Sequence, residues 1–342
     1  MKSIVSIFGS FLFYCQLIPA QNSTINREKF FDEQTILKAS LVTPFNKLFN
    51  HSITGKNTFL ARFICKLPDS SVANEKITVD LRGHFRREIC TIPLLKLNFD
   101  QPDTTVFAPL KSLKLVSVCK TFSESSQCLV KEYLIYKIYN LLTDLSFRVR
   151  LIDMSYVDSS GKKKTLNELA FFLEDEKEMA KRNNAKISEE GKPHNELTNR
   201  NQMTLVAIFE YMIGNTDWSV SSRHNIKTIQ LKSAETKLIA VPYDFDHAGL
   251  VNADYATPDP LFNTKTVLER VYRGFARTID EINSVLAQFY NQKEAIYALI
   301  KNCVYLNKNN KKIMIDYLNE FYDDIKQPKK VKNIFIDNAR KI

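Results

Sequence analysis

Between residues 58 and 173 the apolar side chains of this chain recur mostly with a period of two, and beyond residue 174 mostly with a period near that of a helix. That switch restricts the fold more than any other feature, because alternation builds a half-buried sheet and the longer period builds helices against a core. Thr58 to Lys66 (TFLARFICK), Lys76 to Arg82 (KITVDLR) and Glu88 to Phe99 (EICTIPLLKLNF) read as three antiparallel strands, with Leu113 to Cys119 as a fourth. Gln127 to Asp144 then places Leu134, Ile138, Leu141 and Leu142 at helical spacing, which predicts one amphipathic helix with Glu132 in its first half. Arg148 to Val157 and Leu169 to Leu173 flank the turn Asp158-Ser159-Ser160-Gly161 and predict a hairpin.

After Glu174 a polar excursion runs from Asn183 to Asn201, and Met203 to Ile213 (MTLVAIFEYMI) predicts a buried helix stopped by Gly214. Asn225 to Leu231 and Lys237 to Pro242 predict two strands, and the rest is helical by period. The expected organisation is therefore an export segment at 1–20, a lead-in at 21–57 with one short helix near Glu33 to Ala39, a β-rich part at 58–173 and a mainly helical part at 174–342.

The export segment rests on Lys2, an apolar run from Ile4 through Phe13, and the small residue Ala20 after Leu17-Ile18-Pro19. The run is shorter than the ~20 apolar residues of a membrane span, so cleavage near Gln21 and a periplasmic or extracellular location are expected, with no transmembrane segment in the mature chain. Five cysteines follow it, namely Cys65, Cys90, Cys119, Cys128 and Cys303. Their odd number and scattered spacing make no disulfide framework; Cys65 with Cys90 is one conceivable pair, and buried free thiols are the expectation. The 48 basic against 38 acidic residues, a net charge of +10, suit an anionic ligand or simply a soluble surface. The basic residues are dispersed rather than clustered with aromatics, so no nucleic-acid partner is expected.

The candidate chemistry follows the buried helix: Gly214-Asn215-Thr216-Asp217-Trp218, then His224-Asn225, then Val241-Pro242-Tyr243-Asp244-Phe245-Asp246. A strand hairpin folds its two ends together, so Asp217, Asn225 and Asp244 are expected to converge. Phosphoryl transfer uses such a trio: one carboxylate orients the attacking hydroxyl, and an amide with a second carboxylate holds divalent metal against the phosphates. Taken singly, each residue also suits a plain turn or strand end.

The pattern GNTDW…HN…VPYDFDHAG resembles the CotH-type spore-coat kinase family and, more loosely, HipA-like and secretory-pathway atypical kinases. The resemblance spans roughly residues 60 to 250 and is strongest at 214–249. It implies an α+β, bilobal protein-kinase-like fold with an antiparallel β-rich N-lobe and a mainly helical C-lobe. It also implies ATP with Mg²⁺ or Mn²⁺, a protein or other hydroxyl-bearing acceptor, Asp217 as catalytic acid/base, and Asn225 and Asp244 as metal ligands with Asp246 as a further candidate.

With only eight glycines, no Walker loop or full G-x-G-x-x-G exists, so side chains must grip the nucleotide. Arg82-Gly83-His84-Phe85-Arg86-Arg87 resembles the family's Arg-Gly hairpin, with Arg82, Arg86 and Arg87 on phosphate oxygens, although His84 and Phe85 stand where the family has Ser/Thr-rich residues. Lys96 or Lys114, each a charge inside an apolar strand, is the candidate phosphate lysine, paired with Glu132 on the following helix, and Glu174 lies in the expected inter-lobe crossover. Two other classes fit parts of the pattern: a catalytically silent binding protein of the same fold, and a nucleotide-sugar transferase clamping metal through Asp244 and Asp246.

Overall fold

The structure is a computed structural model that describes residues 25–26, 29–33, 35–48, 58–83, 85–101, 106–189, 191, 193–233 and 237–341. The expected export segment and His84 lie outside these residues, as does the side chain of Arg87. In chain order the elements are β1 (Leu37–Thr43), α1 (Phe45–Leu48), β2 (Thr58–Lys66), β3 (Val72–Arg82), α2 (Phe85–Ile89), β4 (Leu94–Asn98), β5 (Ser112–Ser117), α3 (Ser123–Leu142), β6 (Val149–Asp158) and β7 (Leu166–Leu173). There follow α4 (Glu176–Arg182), β8 (Ala185–Ile187), α5 (Arg200–Ile213), β9 (Ile226–Leu231), β10 (Ile239–Pro242), α6 (Ile279–Asn302), α7 (Lys308–Ile325) and α8 (Pro328–Lys332).

The first seven strands close into a barrel in the order β1-β2-β3-β4-β5-β7-β6. Every pairing in it is antiparallel except the seam between β1 and β6, which is parallel from Leu37 opposite Ile152 to Thr43 opposite Asp158. This corrects the expectation of a bilobal kinase-like fold, whose open antiparallel sheet is replaced by a cylinder. The closing strand comes from the segment expected to hold a short helix. There Leu37, Ala39, Leu41 and Thr43 are all buried at a period of two, the strand period.

Alternation fills the barrel. Leu95, Leu115 and Phe172 share one face across β4, β5 and β7, all fully buried, and Phe63 and Phe172 approach within 6.2 Å between ring centroids. The opposite pleat therefore carries Asp80, Lys96 and Lys114, which are direct cross-strand neighbours on the outer face of β3, β4 and β5. On β7, Phe171 points outward and meets Tyr136 of α3 at 5.7 Å, which seats that helix against the barrel wall.

The remainder is helical around a three-stranded sheet, β10-β9-β8, whose short β8 falls in the polar excursion. Helix α5 is buried from Gln202 through Ile213 and ends at Gly214 with φ of 68°, the left-handed stop expected from sequence. Among the cysteines, Cys90 and Cys119 form a disulfide, while Cys65, Cys128 and Cys303 are free. The expectation of free thiols throughout, and the alternative pair Cys65 with Cys90, are thus corrected. Cys65 points to the barrel core on β2, whereas the segment after α2 runs beside the end of β5, where the Thr91 N–H meets the Cys119 carbonyl at 2.7 Å. No helix of the described residues is long and apolar enough to cross a membrane.

Candidate functional site

The site is assembled by the end of α5, the β9–β10 ladder and one face of α3. In that ladder Ile226 pairs with Pro242, and the Tyr243 N–H donates to the Asn225 carbonyl at 3.0 Å, so Asn225 and Asp244 stand at the same end of the hairpin. Both have left-handed backbones, with φ of 51° and 64°, a conformation that Asn and Asp tolerate better than other residues bearing a Cβ. Asn225 donates through Nδ2 to the Asp217 carbonyl oxygen at 2.8 Å and to Asp217 Oδ2 at 3.0 Å. The other Asp217 oxygen meets His224 Nε2 at 2.7 Å, and the Asp217 N–H donates to Asn215 Oδ1 at 3.0 Å. Asp217 is thereby held by both neighbouring loops while 37 % of its side chain stays exposed.

Asp244 joins this group from the opposite strand. Its N–H donates to the Tyr136 hydroxyl of α3 at 2.8 Å, and Phe245 beside it is fully buried against Tyr136 and Phe209, at 4.7 and 5.7 Å. The core anchor at Phe245 has an acid on either side of it, and the two share the field of Arg86. Burial, then the charge of Asp246, pushes the Asp244 carboxyl up to about 6 against the pull of Arg86 and Arg82, and Asp217 is close enough to add to the push. Asp246 instead accepts from the Tyr255 hydroxyl at 2.9 Å and lies 3.7 Å from Arg86 Nη1. Hence Asn225 holds Asp217 directly and stands at the hairpin end that bears Asp244, while Asp244 feels Asp246, Arg86 and Arg82 more strongly than it feels Asp217.

Arg86 and its acidic neighbours are buried. Arg86 donates to the Ser117 carbonyl at 2.6 Å and faces Glu132 at 3.9 Å. Burial first, with Asp246 adding, raises the Glu132 carboxyl well above the usual range, while Arg86 pulls the other way. Burial lowers the Arg86 guanidinium, but Tyr255, Asp246 and Glu132 around it together raise it above its ordinary value. Glu132 and Tyr136 lie four apart on α3, so a single helix face supplies both the partner of Arg86 and the hydroxyl that holds Asp244.

The expected Lys114–Glu132 pair is not formed. Lys114 bonds Glu176 Oε2 at 2.8 Å, and Lys227 of β9 approaches the same oxygen at 3.3 Å, so Glu176 ties the outer barrel face to the β9–β10 sheet. Lys114 is taken by Glu176, and Glu132 is turned to Arg86. Lys96 is half-buried beside Lys114 on that same outer face. Arg82, at the end of β3, lies within electrostatic reach of Asp244 and Glu176, and burial disfavours its charge. Glu174 is spent elsewhere, on Arg182 Nη2 at 2.9 Å and the Arg148 N–H at 3.0 Å, where it pins α4 to the barrel.

Beneath the Asp217 loop lie residues the motif did not announce. Glu210 of α5 is 1 % exposed, and burial pushes its carboxyl up to about 8, tempered by the neighbouring Asn215 amide and the Arg273 guanidinium. Arg273 donates to the carbonyls of Thr216 and Trp218 on either side of Asp217 and lies over the Trp218 ring at 5.3 Å. Glu210 had a visible signal, as the lone acid in MTLVAIFEYMI, but Arg273, Tyr136 and Glu176 had none. The loop is stitched to the segment after Asp246 by the Gly249 N–H on the Gly214 carbonyl at 3.0 Å and the Leu250 N–H on the Ile213 carbonyl at 2.9 Å.

Two observations bear on ligands. Arg82 Nη1, and Nε and Nη1 of Arg86, are buried and donate no hydrogen bond, which is a set of unspent guanidinium donors beside Asp244 and Asp246. Asp217, Asn225 and Asp244 supply hard oxygen donors of the kind that suits Mg²⁺ or Mn²⁺. Among the described residues no three or more His, Cys, Asp or Glu side chains form a ready cation cage, so a cation here relies on the Asn225 amide as well as the two carboxylates. No protein-family model matches this chain, and no curated protein matches it by sequence.

Proposed function

We propose that this chain transfers the terminal phosphoryl group of a nucleotide, ATP in the first instance, to a hydroxyl-bearing acceptor at the Asp217–Asn225–Asp244 centre. The observation that carries the reading is the pair of hydrogen bonds from Asn225 to Asp217 at the end of the ladder that also bears Asp244, with unspent guanidinium donors next to it. The resemblance to CotH-type kinases in residues 214–249 points the same way; the barrel does not enter the argument.

Asp217, exposed and fixed through three neighbours, orients the acceptor hydroxyl and takes up its proton as the oxygen attacks phosphorus. Asn225 and Asp244 hold the divalent ion, which when bound draws charge from the phosphate oxygens. Arg82 offers its Nη1 and Arg86 its Nε to the phosphates, and Lys114, paired with Glu176, borders them on the outer barrel face. Lys96 belongs to the same outer face as Lys114 in this reading, and Glu174 acts by positioning α4. A nucleotide-sugar transferase is disfavoured, since Asp246 is committed to Tyr255 and Arg86 and leaves Asp244 without a partner in a two-acid clamp. The same reading takes the chain as exported to the periplasm or beyond, to which the Cys90–Cys119 disulfide is suited. The acceptor is then a protein or surface component of that compartment.

The test is incubation of the purified chain with γ-labelled ATP and Mn²⁺ or Mg²⁺. Transfer to protein, to the chain itself or to water is followed beside Asp217→Ala and Asp244→Ala. Both variants are expected to lose about a hundredfold or more in rate. Equal labelling by wild type and variants would remove the centre from the chemistry.

A further inference from the structure

The outer pleat of β1, β2 and β3 places basic side chains in register. Lys38 of β1 is directly opposite Lys66 of β2, and Arg62 of β2 is directly opposite Lys76 of β3. All four are exposed, because their neighbours Leu37, Ala39, Ala61, Phe63, Cys65 and Ile77 fill the barrel. Like charges facing each other across a ladder work against it. A third such pair, Lys96 with Lys114, is offset on both sides: Asp80 is opposite Lys96, and Glu176 bonds Lys114.

The first two pairs are offset only in part. Asp153 of β6 stands in register beside Lys38, and Asp100 continues the β4 register toward Lys76. Arg62 donates through Nε and Nη2 to Asn74 Oδ1, a neutral acceptor, at 3.2 and 3.0 Å. Each pair therefore keeps a surplus positive charge. At the rim, Asp69 of the β2–β3 turn accepts from Ser71, and the β6–β7 turn adds the exposed Lys162, Lys163 and Lys164, so the face stays cationic with its edges included. Between the charges the pleat is aliphatic. Leu60 and Val72, 78 % and 63 % exposed, stand at its two ends, about 20 Å apart along the strands, with Val42, Ile64 and Val157 half-buried between them. The face is open to solvent, and shallow clefts of about 430 and 340 Å³ lie among its side chains.

From this combination of surplus positive charge and exposed aliphatic side chains, we propose that the outer face of β1–β3 docks on a bilayer rich in anionic phospholipid. Lys38, Arg62, Lys66 and Lys76 meet the headgroup phosphates, and Leu60 and Val72 enter the acyl boundary beneath them. A soluble polyanion satisfies the charges but leaves both aliphatic side chains in water, and a second copy of the chain brings like charges together. In the barrel order β1 and β2 are the strands farthest from β5. A docked chain thus turns Lys114 and Glu176, where the β9–β10 sheet joins the barrel, away from the lipid. Docking of this kind does not depend on phosphoryl transfer.

Co-sedimentation of the full chain with mixed phosphatidylglycerol and phosphatidylcholine vesicles, beside vesicles of phosphatidylcholine alone, tests this without nucleotide or divalent metal. Binding to the mixed vesicles is expected to be about tenfold tighter or more, and to weaken by a similar factor in roughly 0.5 M salt. Arg62→Glu combined with Lys66→Glu turns both like-charged pairs into opposite ones, so this variant should fold at least as stably while losing about tenfold or more in affinity. Leu60→Ser combined with Val72→Ser leaves every charge in place and should also lose about tenfold. The apolar segment 4–13 is common to all the proteins compared, so differences among them belong to the barrel face. Equal binding to the two kinds of vesicle, or unchanged affinity in either double variant, overturns the proposal. Unchanged affinity in the Leu60 and Val72 variant together with full competition by polyglutamate would make the partner a soluble polyanion instead.

Discussion

Replacing Glu210 by Gln should change how the stability of this protein depends on pH, by an amount the structure fixes. The Glu210 carboxyl has an ordinary value of 4.5 when unfolded and is pushed up to about 8 by burial in α5. Between those values the folded chain holds a proton that the unfolded chain has released, so stability falls as pH rises, by about 1.4 kcal/mol per pH unit. The contribution is fully present below 4.5 and is lost as pH rises through 8. From about pH 5 to about pH 7.5 the loss assigned to this one group is roughly 3 kcal/mol. Gln has nearly the shape of a protonated Glu and carries no titrating proton. The variant is therefore expected to gain on the wild type by roughly that amount over the same interval, since every other titrating group cancels in the comparison. Urea unfolding of both proteins at several pH values in this window reads the difference directly. If the two stability profiles run parallel, Glu210 does not retain its proton in the fold, and the account of a neutral acid beneath the Asp217 loop is wrong.

Other perturbations probe the remaining parts. Because the Asp244 carboxyl sits at about 6, protons compete with a cation for it, and Mn²⁺ affinity measured by titration should fall about tenfold from pH 7 to pH 5; a flat profile would take Asp244 out of the ligand set. Cys90→Ser opens a link spanning a sequence separation of 29 and should cost about 3–4 kcal/mol in denaturant unfolding, with wild type under reducing conditions matching the variant. Gly249→Ala would put a Cβ 2.4 Å from the Val267 carbonyl oxygen and 2.6 Å from the Tyr317 hydroxyl, so about 1–3 kcal/mol of stability should be lost, whereas an unchanged melting curve would mean that the segment after Asp246 is less tightly packed than described.

The local elements were legible in the sequence where one physical signal dominated. Thr58–Lys66 was readable as a strand to the residue, and the stop at Gly214 was readable from its lack of a Cβ. That Asn225 meets Asp217 at the end of the ladder that bears Asp244 was also readable, because a hairpin brings its two ends together. Closure of the barrel was not. Periodicity reports which face of a strand is buried but says nothing of which distant strand lies beside it, and the β1–β6 seam is such a pairing. The partner of Lys114 was hidden for a similar reason: it depends on where α4 docks, and Glu176 looks in sequence like any acid in a first helical turn. The Cys90–Cys119 disulfide required the segment after α2 to lie beside the end of β5, which spacing alone does not reveal.

The parallel seam also sets an order for assembly. Strands β1 through β5 can zip to one another as they emerge, each meeting its predecessor, but the outer edge of β1 must wait for a partner whose residue 152 pairs with its residue 37. Until that late strand arrives the sheet is a sheet and not a cylinder, and its core is open to solvent along one side. Trimming the chain past Thr43 would then do more than shorten the fold by a strand: it would leave β2 and β6 as raw margins, each a template on which a neighbouring molecule can add its own strand.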